Sequence, residues 1–259
     1  MFQQVLTPSA GKRLIAKAFM QHPAVKNALQ SGTIVVIAGT TNGYVAEELL
    51  SSIGSSERLD RGRFFRGITG PPGMETTGSG RLPDESRFPG DVVVCGGAWE
   101  RGKTIFDVVD DLREGDVVVK GANCLDPVTG RAGVLIGHPK AGTIGVTIQA
   151  VVGRRVKLLV PVGLEKRVHE DIDSLAELLN SPGASGPRLL PLPGEVLTEI
   201  EAVRILCGAD ARLVAAGGVA GAEGAVWLAV TGTPTEVQSA QTVLKDVADE
   251  APFRLDDQQ

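Results

Sequence analysis

Residues 33–43, TIVVIAGTTNG, decide the fold. Thr33 to Ala38 form an unbroken apolar, β-branched run, the pattern of a strand buried on both faces of a parallel sheet. Gly39, Thr40, Thr41, Asn42 and Gly43 follow with no polar linker. Val45, Leu49, Leu50 and Ile53 then recur at helical spacing, and Gly54 stands where a helix would stop. Strand, glycine loop and helix make the first half of a βαβ unit.

Working outward, the unit recurs. Asp91–Cys95, Val117–Val119 and Lys157–Val160 predict further buried strands, with short ones at Val134–Ile136 and around Arg63–Ile68. Helices are expected over residues 8–30, capped by Ser9 and broken at Pro23, over Thr104–Leu112, and from Gly142 to about Val152. Strands alternating with helices predict an α/β fold: a Rossmann-like, mainly parallel sheet with helices on both faces. Gly70 to Gly90 shows no periodicity and reads as a long loop. Residues 180–194 are rich in Pro and Gly and read as a linker. Beyond it, a helix (Val196–Cys207), two strands (Leu213–Val219 and Ala225–Thr231) and a last helix capped by Thr235 form an αββα unit. The expected division is a ligand-binding domain over 1–180 and a small α/β subdomain over 195–259.

Composition narrows the function. A formal net charge of -5 lacks the basic footprint of a nucleic-acid binder, and 4% aromatic content leaves few stacking platforms. No apolar run is long enough for a membrane span, and no apolar leader is seen, so a cytoplasmic protein is expected. Cys95, Cys124 and Cys207 are odd in number and far apart, so they read as reduced thiols. His22, His138 and His169 show no ligand spacing, and no metal is expected.

In a parallel sheet, ligands sit at the carboxyl ends of the strands. The tips Gly39–Gly43, Gly96–Gly97, Gly121–Asn123 and Pro161–Gly163 are expected to share one edge. Glycine lets the backbone approach a ligand, and a helix start favours a phosphate or carboxylate. Gly39, Thr40, Thr41, Asn42 and Gly43 form the first such loop, and Gly142 with Thr143 the second. Lys120, beside Gly121, and Lys140 are the cations to neutralise the anion. Each loop also has an ordinary reading, as a tight turn with a helix cap. Neither loop is G-x-G-x-x-G or a Walker A loop, so no nicotinamide or ATP cofactor is implied. Cys124 beside the site reads as a buried thiol or a nucleophile. Arg58, Arg61, Arg63, Arg66, Arg81 and Arg87 close over an anion, or serve solubility or a subunit contact.

The segment from Val117 to Lys166 resembles a superfamily that includes ribose-5-phosphate isomerase A, methylthioribose-1-phosphate isomerase with its initiation-factor relatives, DeoR-type sugar-phosphate sensors and CoA transferases. The likeness rests on Gly121-Ala122-Asn123, Gly130, the Gly142-Thr143 helix start and Pro161, and on Gly39-Thr40-Thr41 within Ile34–Leu50. It covers about the first two thirds of the chain. It implies a small anionic metabolite, a phosphorylated sugar or nucleotide-like molecule, and isomerase-type chemistry if catalytic. Asn123 stands where those isomerases carry aspartate, and an amide cannot exchange a proton as a carboxylate does. Asp126 is the nearby carboxylate, so Asp126 and Asn123 are expected to face the reacting carbons. The glutamate motif of the CoA transferases is not found. A regulatory or scaffolding role on the same fold is the alternative. A homo-oligomer is expected, without nucleic acid or membrane as partner.

Overall fold

The structure is a computed structural model that describes residues 1–67 and 69–255. The chain opens with β1 (Phe2–Leu6), α1 (Pro8–Phe19) and α2 (Pro23–Ser31). Thr7 caps α1, its hydroxyl accepting from the Ala10 amide at 3.2 Å. The Ser9 hydroxyl, expected in that role, instead accepts from the Phe253 amide. His22 caps α2 through Nδ1, and Pro23 occupies its first turn, where a missing N–H costs nothing. Leu14, Ile15, Ala18 and Phe19 are fully buried, so the apolar stripe read from the sequence is the inner face of α1.

Next come β2 (Thr33–Val36) and α3 (Thr40–Ser52). Among the described residues, 54–67 and 69–90 are irregular apart from one 3-10 turn at Glu85–Arg87. Of the strand expected at Arg63–Ile68, Arg63–Gly67 do not form one, and Ile68 lies outside the described residues. Then follow β3 (Val92–Cys95), β4 (Ala98–Trp99), α4 (Ile105–Val108), β5 (Val117–Val119), β6 (Cys124–Asp126) and β7 (Arg131–Ile136). The last part holds α5 (Gly142–Arg154), β8 (Lys157–Pro161), α6 (Ile172–Asn180), β9 (Arg188–Pro191), β10 (Glu195–Leu197), α7 (Glu199–Cys207), β11 (Asp210–Ala216), β12 (Val226–Thr231) and α8 (Pro234–Ala248).

The molecule is mixed α/β, with eight α-helices among the described residues, none long and apolar enough to cross a membrane. Its central sheet has six strands in the order β10-β8-β5-β2-β3-β4. The pairs β10/β8, β8/β5 and β5/β2 are parallel, while β3 is antiparallel to β2 and β4 to β3. Ile34, Val35, Val36, Val117, Val118 and Val119 are completely buried, each contributing about 1.5–3 kcal/mol by leaving water.

The direction of β3 corrects the expected single edge. From the end of β2, α3 carries the chain back along the sheet, and residues 54–90 return it to the starting edge. There the buried Asp91 carboxylate accepts from the Ala38 amide at 2.9 Å, and β3 runs down from it. Gly96 therefore lies at the opposite edge, its amide on the Gly32 carbonyl at 3.1 Å. The tips Gly39, Gly121 and Gly163 follow parallel strands and share the upper edge.

Two three-stranded antiparallel sheets complete the fold, β6-β7-β9 and β1-β12-β11. The αββα unit is present, and β1 joins it from the other end of the chain, with Phe2 opposite Val230. α1 packs on α3, α7 and α8. The stretch expected as a linker, 180–194, contains β9, and β10 adds to the central sheet straight after it. Elements from both sides of the expected division at 180–195 thus share sheets. Helix α7 starts at Glu199 rather than Val196, because Val196 and Leu197 pair with β8 and Thr198 caps the helix with Glu201. The cap of α8 is Thr233, reinforced by Glu236, and not Thr235. The helix α6 shows no cap signal beyond Asp171, and buries Ile172 and Ala176 against β6, β7 and β9.

Candidate functional site

A cavity of about 460 Å³ opens above the carboxyl end of β5. Lys120, the first residue past β5, and Asn123, just before β6, form its floor. The Lys120 amide donates to the Leu159 carbonyl at 3.0 Å, which fixes the base of its side chain to β8. Asn123 Oδ1 accepts from the Leu135 amide at 2.9 Å, tying the floor to β7. One wall is aliphatic, from Val134, Leu135 and Ile136 of β7 and Ile144 of α5.

The mouth carries His138, Lys140 and the start of α5 at Gly142 and Thr143. Ala141 precedes the helix in a left-handed conformation, φ 59°, and no side chain among the described residues caps the helix there. This exposes the partial positive charge of the α5 terminus to the cavity. Gly145 is required behind it, since a Cβ would lie 2.8 Å from the Lys140 carbonyl oxygen.

The opposite wall comes from the irregular segment. Arg66 and Arg81 both lie against the Phe88 ring, with guanidinium carbons 4.8 and 3.9 Å from its centroid. Arg66 Nη1 donates to Asp91 Oδ1 at 2.7 Å, and Arg81 Nη1 to Glu85 Oε2 at 3.1 Å. Arg66 Nη2 and Arg81 Nε are buried with no partner among the described residues. Asp91 is fully buried, and its second oxygen accepts from the Ile105 amide at 2.8 Å. Burial and the nearby Arg66 hold the Arg81 guanidinium below its usual range. Burial, then Arg66, push the Lys120 ammonium down to about 8; Asp91 only partly offsets this, and Lys166 adds to it. The cavity therefore has more cations than it has carboxylates to match them, which favours an anion.

A neighbouring charged group lies at the end of β8, beneath α1 and α7. Lys12 Nζ is 3.0 Å from Glu165 Oε1, and Lys166 Nζ donates to the Ala122 carbonyl at 2.7 Å. Glu199 is 1% exposed and accepts from the Leu164 amide at 2.9 Å. Burial, then the charge of Glu165, push its carboxyl up to about 7.

The sequence-predicted residues divide into three groups. Lys120, Asn123, Lys140, Gly142 and Thr143 line one cavity. Gly39, Thr40, Thr41, Asn42 and Gly43 do not line it; Gly39 caps α3 and the other four form its first turn. Asn42 Nδ2 spans the ends of β2 and β5, donating to the Ile37 and Val119 carbonyls at 2.7 and 3.1 Å. Gly43 packs under Arg61, where a Cβ would meet Cγ at 2.8 Å. Gly121 lies between these regions, and its added Cβ would be 3.9 Å from Asn42 Oδ1.

Asp126 is also placed outside the cavity. It sits at the hairpin turn of β6 and β7, accepting from the Val128 and Thr129 amides and from the Thr129 hydroxyl. These bonds, that of the Thr129 hydroxyl foremost, hold its pKa below the usual carboxylate value. It is a turn residue, as the i to i+2 bonding of aspartate commonly makes it. Cys124 is buried in β6 with its thiol toward the Gly133 carbonyl, and burial pushes its pKa up, the opposite of an activated nucleophile.

Sequence reasoning missed the division of labour among the arginines. Arg66 and Arg81 reach the cavity, whereas Arg61 stacks on Tyr44 and pairs with Glu47 and Glu250. It also missed Asp91, whose signal was an acidic residue heading an otherwise apolar strand. A second depression, of about 480 Å³, lies at the lower edge between residues 53–57 and 97–101. Its Arg101 is already paired with Glu57 at 2.5 Å, so it offers no comparable excess of charge. Among the described residues no three His, Cys, Asp or Glu side chains stand together as a metal site. No protein-family model, curated protein or solved structure matches this chain.

Proposed function

We propose that the chain binds a small phosphorylated metabolite in the cavity above β5, on a Rossmann-like arrangement of its parallel strands. The observation that carries this reading is the pair of buried guanidinium N–H groups on Arg66 and Arg81, without a partner among the described residues, beside Lys120 and the start of α5. A buried donor without an acceptor costs free energy, and a phosphate supplies several acceptors at once. Lys140 at the mouth adds a solvent-exposed charge that steers the anion in. The aliphatic wall suits a ligand with a carbon body of some size as well as a charged end.

Isomerase-type chemistry requires a base inside the cavity. Asn123 is an amide and Asp126 lies outside, so Lys120 is the group on the floor whose lone pair is accessible near neutral pH. A ligand-sensing or scaffolding role without turnover is the second reading, favoured by Asn123 itself. A cytoplasmic homo-oligomer belongs to this proposal, and the three free thiols accord with a reducing compartment.

The test is a thermal-shift and calorimetric titration with pyrophosphate, sugar phosphates and nucleotides. A ligand at ~100 times its Kd raises stability by about 2.7 kcal/mol. Binding that weakens in Arg81→Ala and Lys140→Ala supports the cavity as the site. A flat response to every phosphorylated probe at millimolar concentration removes the proposal.

A further inference from the structure

We propose that Lys120 is a nucleophile, its ε-amine condensing with the aldehyde or ketone carbon of a phosphorylated ligand to form an imine. The inference rests on the binding reading above and names its ligand class, a phosphorylated carbonyl compound.

Three observations carry it. The first is the contrast among the lysines at this edge. Lys12 is paired with Glu165 and Lys166 is bonded to the Ala122 carbonyl, but Lys120 Nζ has no hydrogen bond or ion pair among the described residues. The second is the disposition of nearby charge. Asp91, the carboxylate close enough to act on Lys120, is committed to Arg66 and to the amides of Ala38 and Ile105. Arg66 lines the same cavity as Lys120, the charges of Arg66 and Lys166 both oppose an ammonium there, and no carboxylate pairs with Lys120 among the described residues. A lysine desolvated beside other cations is the usual setting for an amine that reacts with carbonyls. Burial and these cations bring its pKa to about 8, so roughly a tenth of the amine is neutral at pH 7.

The third observation is the separation of roles across the cavity. Arg66, Arg81, Lys140 and the α5 start remain available for the phosphate, while the Lys120 side chain rises from a base fixed on β8. The aliphatic wall from Val134, Ile136 and Ile144 favours loss of water in the second half of the reaction.

The step balances without a further reactant. The neutral amine's electron pair attacks the carbonyl carbon, and the carbonyl electrons pass to oxygen, which takes up a proton. The nitrogen loses a proton, giving a carbinolamine. Its hydroxyl takes a proton from solvent and leaves as water, the nitrogen lone pair closes the C=N bond to give the protonated imine, and loss of the remaining N–H proton to solvent yields the neutral imine.

Pyridoxal 5′-phosphate, a phosphorylated aldehyde, serves as the probe, with sodium borohydride to reduce the imine to a stable secondary amine and peptide mass spectrometry to place it. The expected result is one adduct per chain at Lys120, formed at least tenfold faster than on exposed lysines such as Lys26 and Lys140. Saturating pyrophosphate should suppress it, and pyridoxal without the phosphate should label it at least tenfold more slowly. The labelling rate should rise with pH around an apparent pKa near 8. In Lys120→Arg the probe should still raise Tm, with the specific adduct lost.

Label spread over exposed lysines with Lys120 unmodified overturns the imine. If the probe nevertheless raises Tm and pyrophosphate competes, binding stands and only the covalent step falls. If neither Tm nor labelling responds, both fall. The wild-type map decides the matter even if Lys120→Arg does not fold.

Discussion

Asp91 and Arg66 meet at 2.7 Å where β3 begins, and the carboxylate is wholly buried while one guanidinium nitrogen beyond it has no partner among the described residues. The pair does two jobs. Asp91 closes the seam between β2, β3 and α4 through the Ala38 and Ile105 amides, and it aims Arg66 toward the cavity.

Removing the carboxylate should therefore be expensive. Asp91→Ala leaves a buried guanidinium and two amides without acceptors, and should cost about 3–5 kcal/mol in denaturant unfolding. Asp91→Asn keeps one acceptor and should cost less. A loss under about 1 kcal/mol for Asp91→Ala would mean that the seam does not depend on this contact.

Charge at the cavity wall should set affinity for anions. Arg81→Ala removes a cation on Phe88 and a buried donor, and should weaken pyrophosphate binding by about tenfold or more. Lys140→Ala, at the exposed mouth, should weaken it by a few-fold at low salt and hardly at all at high salt. Isothermal titration at two salt concentrations separates the two. Equal salt dependence for both variants would place Arg81 outside the binding site.

Asp126→Asn should leave pyrophosphate affinity within about twofold of wild type, because the residue serves the β6–β7 turn. The cost should appear as a modest fall in Tm. A loss of binding with Tm unchanged would return Asp126 to the site that the sequence had suggested for it.

Glu199 should make stability depend on pH. Its folded pKa, about 7, lies above the unfolded value of 4.5, because burial and Glu165 disfavour the charged form. A raised pKa gives stability that is complete below about 4.5 and is lost as pH rises through about 7. Glu199→Gln can keep the bond from the Leu164 amide without the charge. It should raise Tm at pH 8 by several degrees and change it little at pH 5. Parallel melting curves for the two proteins across that range would show that Glu199 does not titrate in the window.

The alternation of elements was legible because valine and isoleucine runs can only be satisfied by burial on both faces. The β2, β5 and β8 strands follow from it, and the break at Pro23 follows from proline's missing N–H. Strand direction was not legible. Asp91–Cys95 reads the same whichever way it runs, and what reversed it was the return path that precedes it, in which Gly70 to Gly90 carry no periodicity. The same segment hid one wall of the cavity, since nothing local distinguishes Arg66 and Arg81, which line it, from Arg61, which stacks on Tyr44. That Lys120, Asn123, Lys140 and Gly142 line one cavity was legible because strand tips and helix starts have positions fixed by the fold. The Gly39–Gly43 loop carried the same signal, yet Asn42 turned its amide to the carbonyls of β2 and β5.

The pairing of β1 with β12 has a bearing on how the molecule is made. During synthesis, Phe2 emerges long before Val230, so the first strand has no partner until nearly all the other elements exist. Joining such distant segments is entropically slow. The nascent chain must keep the apolar residues of β1 and α1 out of wrong contacts for most of translation. Closure of that strand is thus expected to be among the last folding events, and a circularly permuted chain in which β12 and α8 precede β1 should fold faster than the natural order.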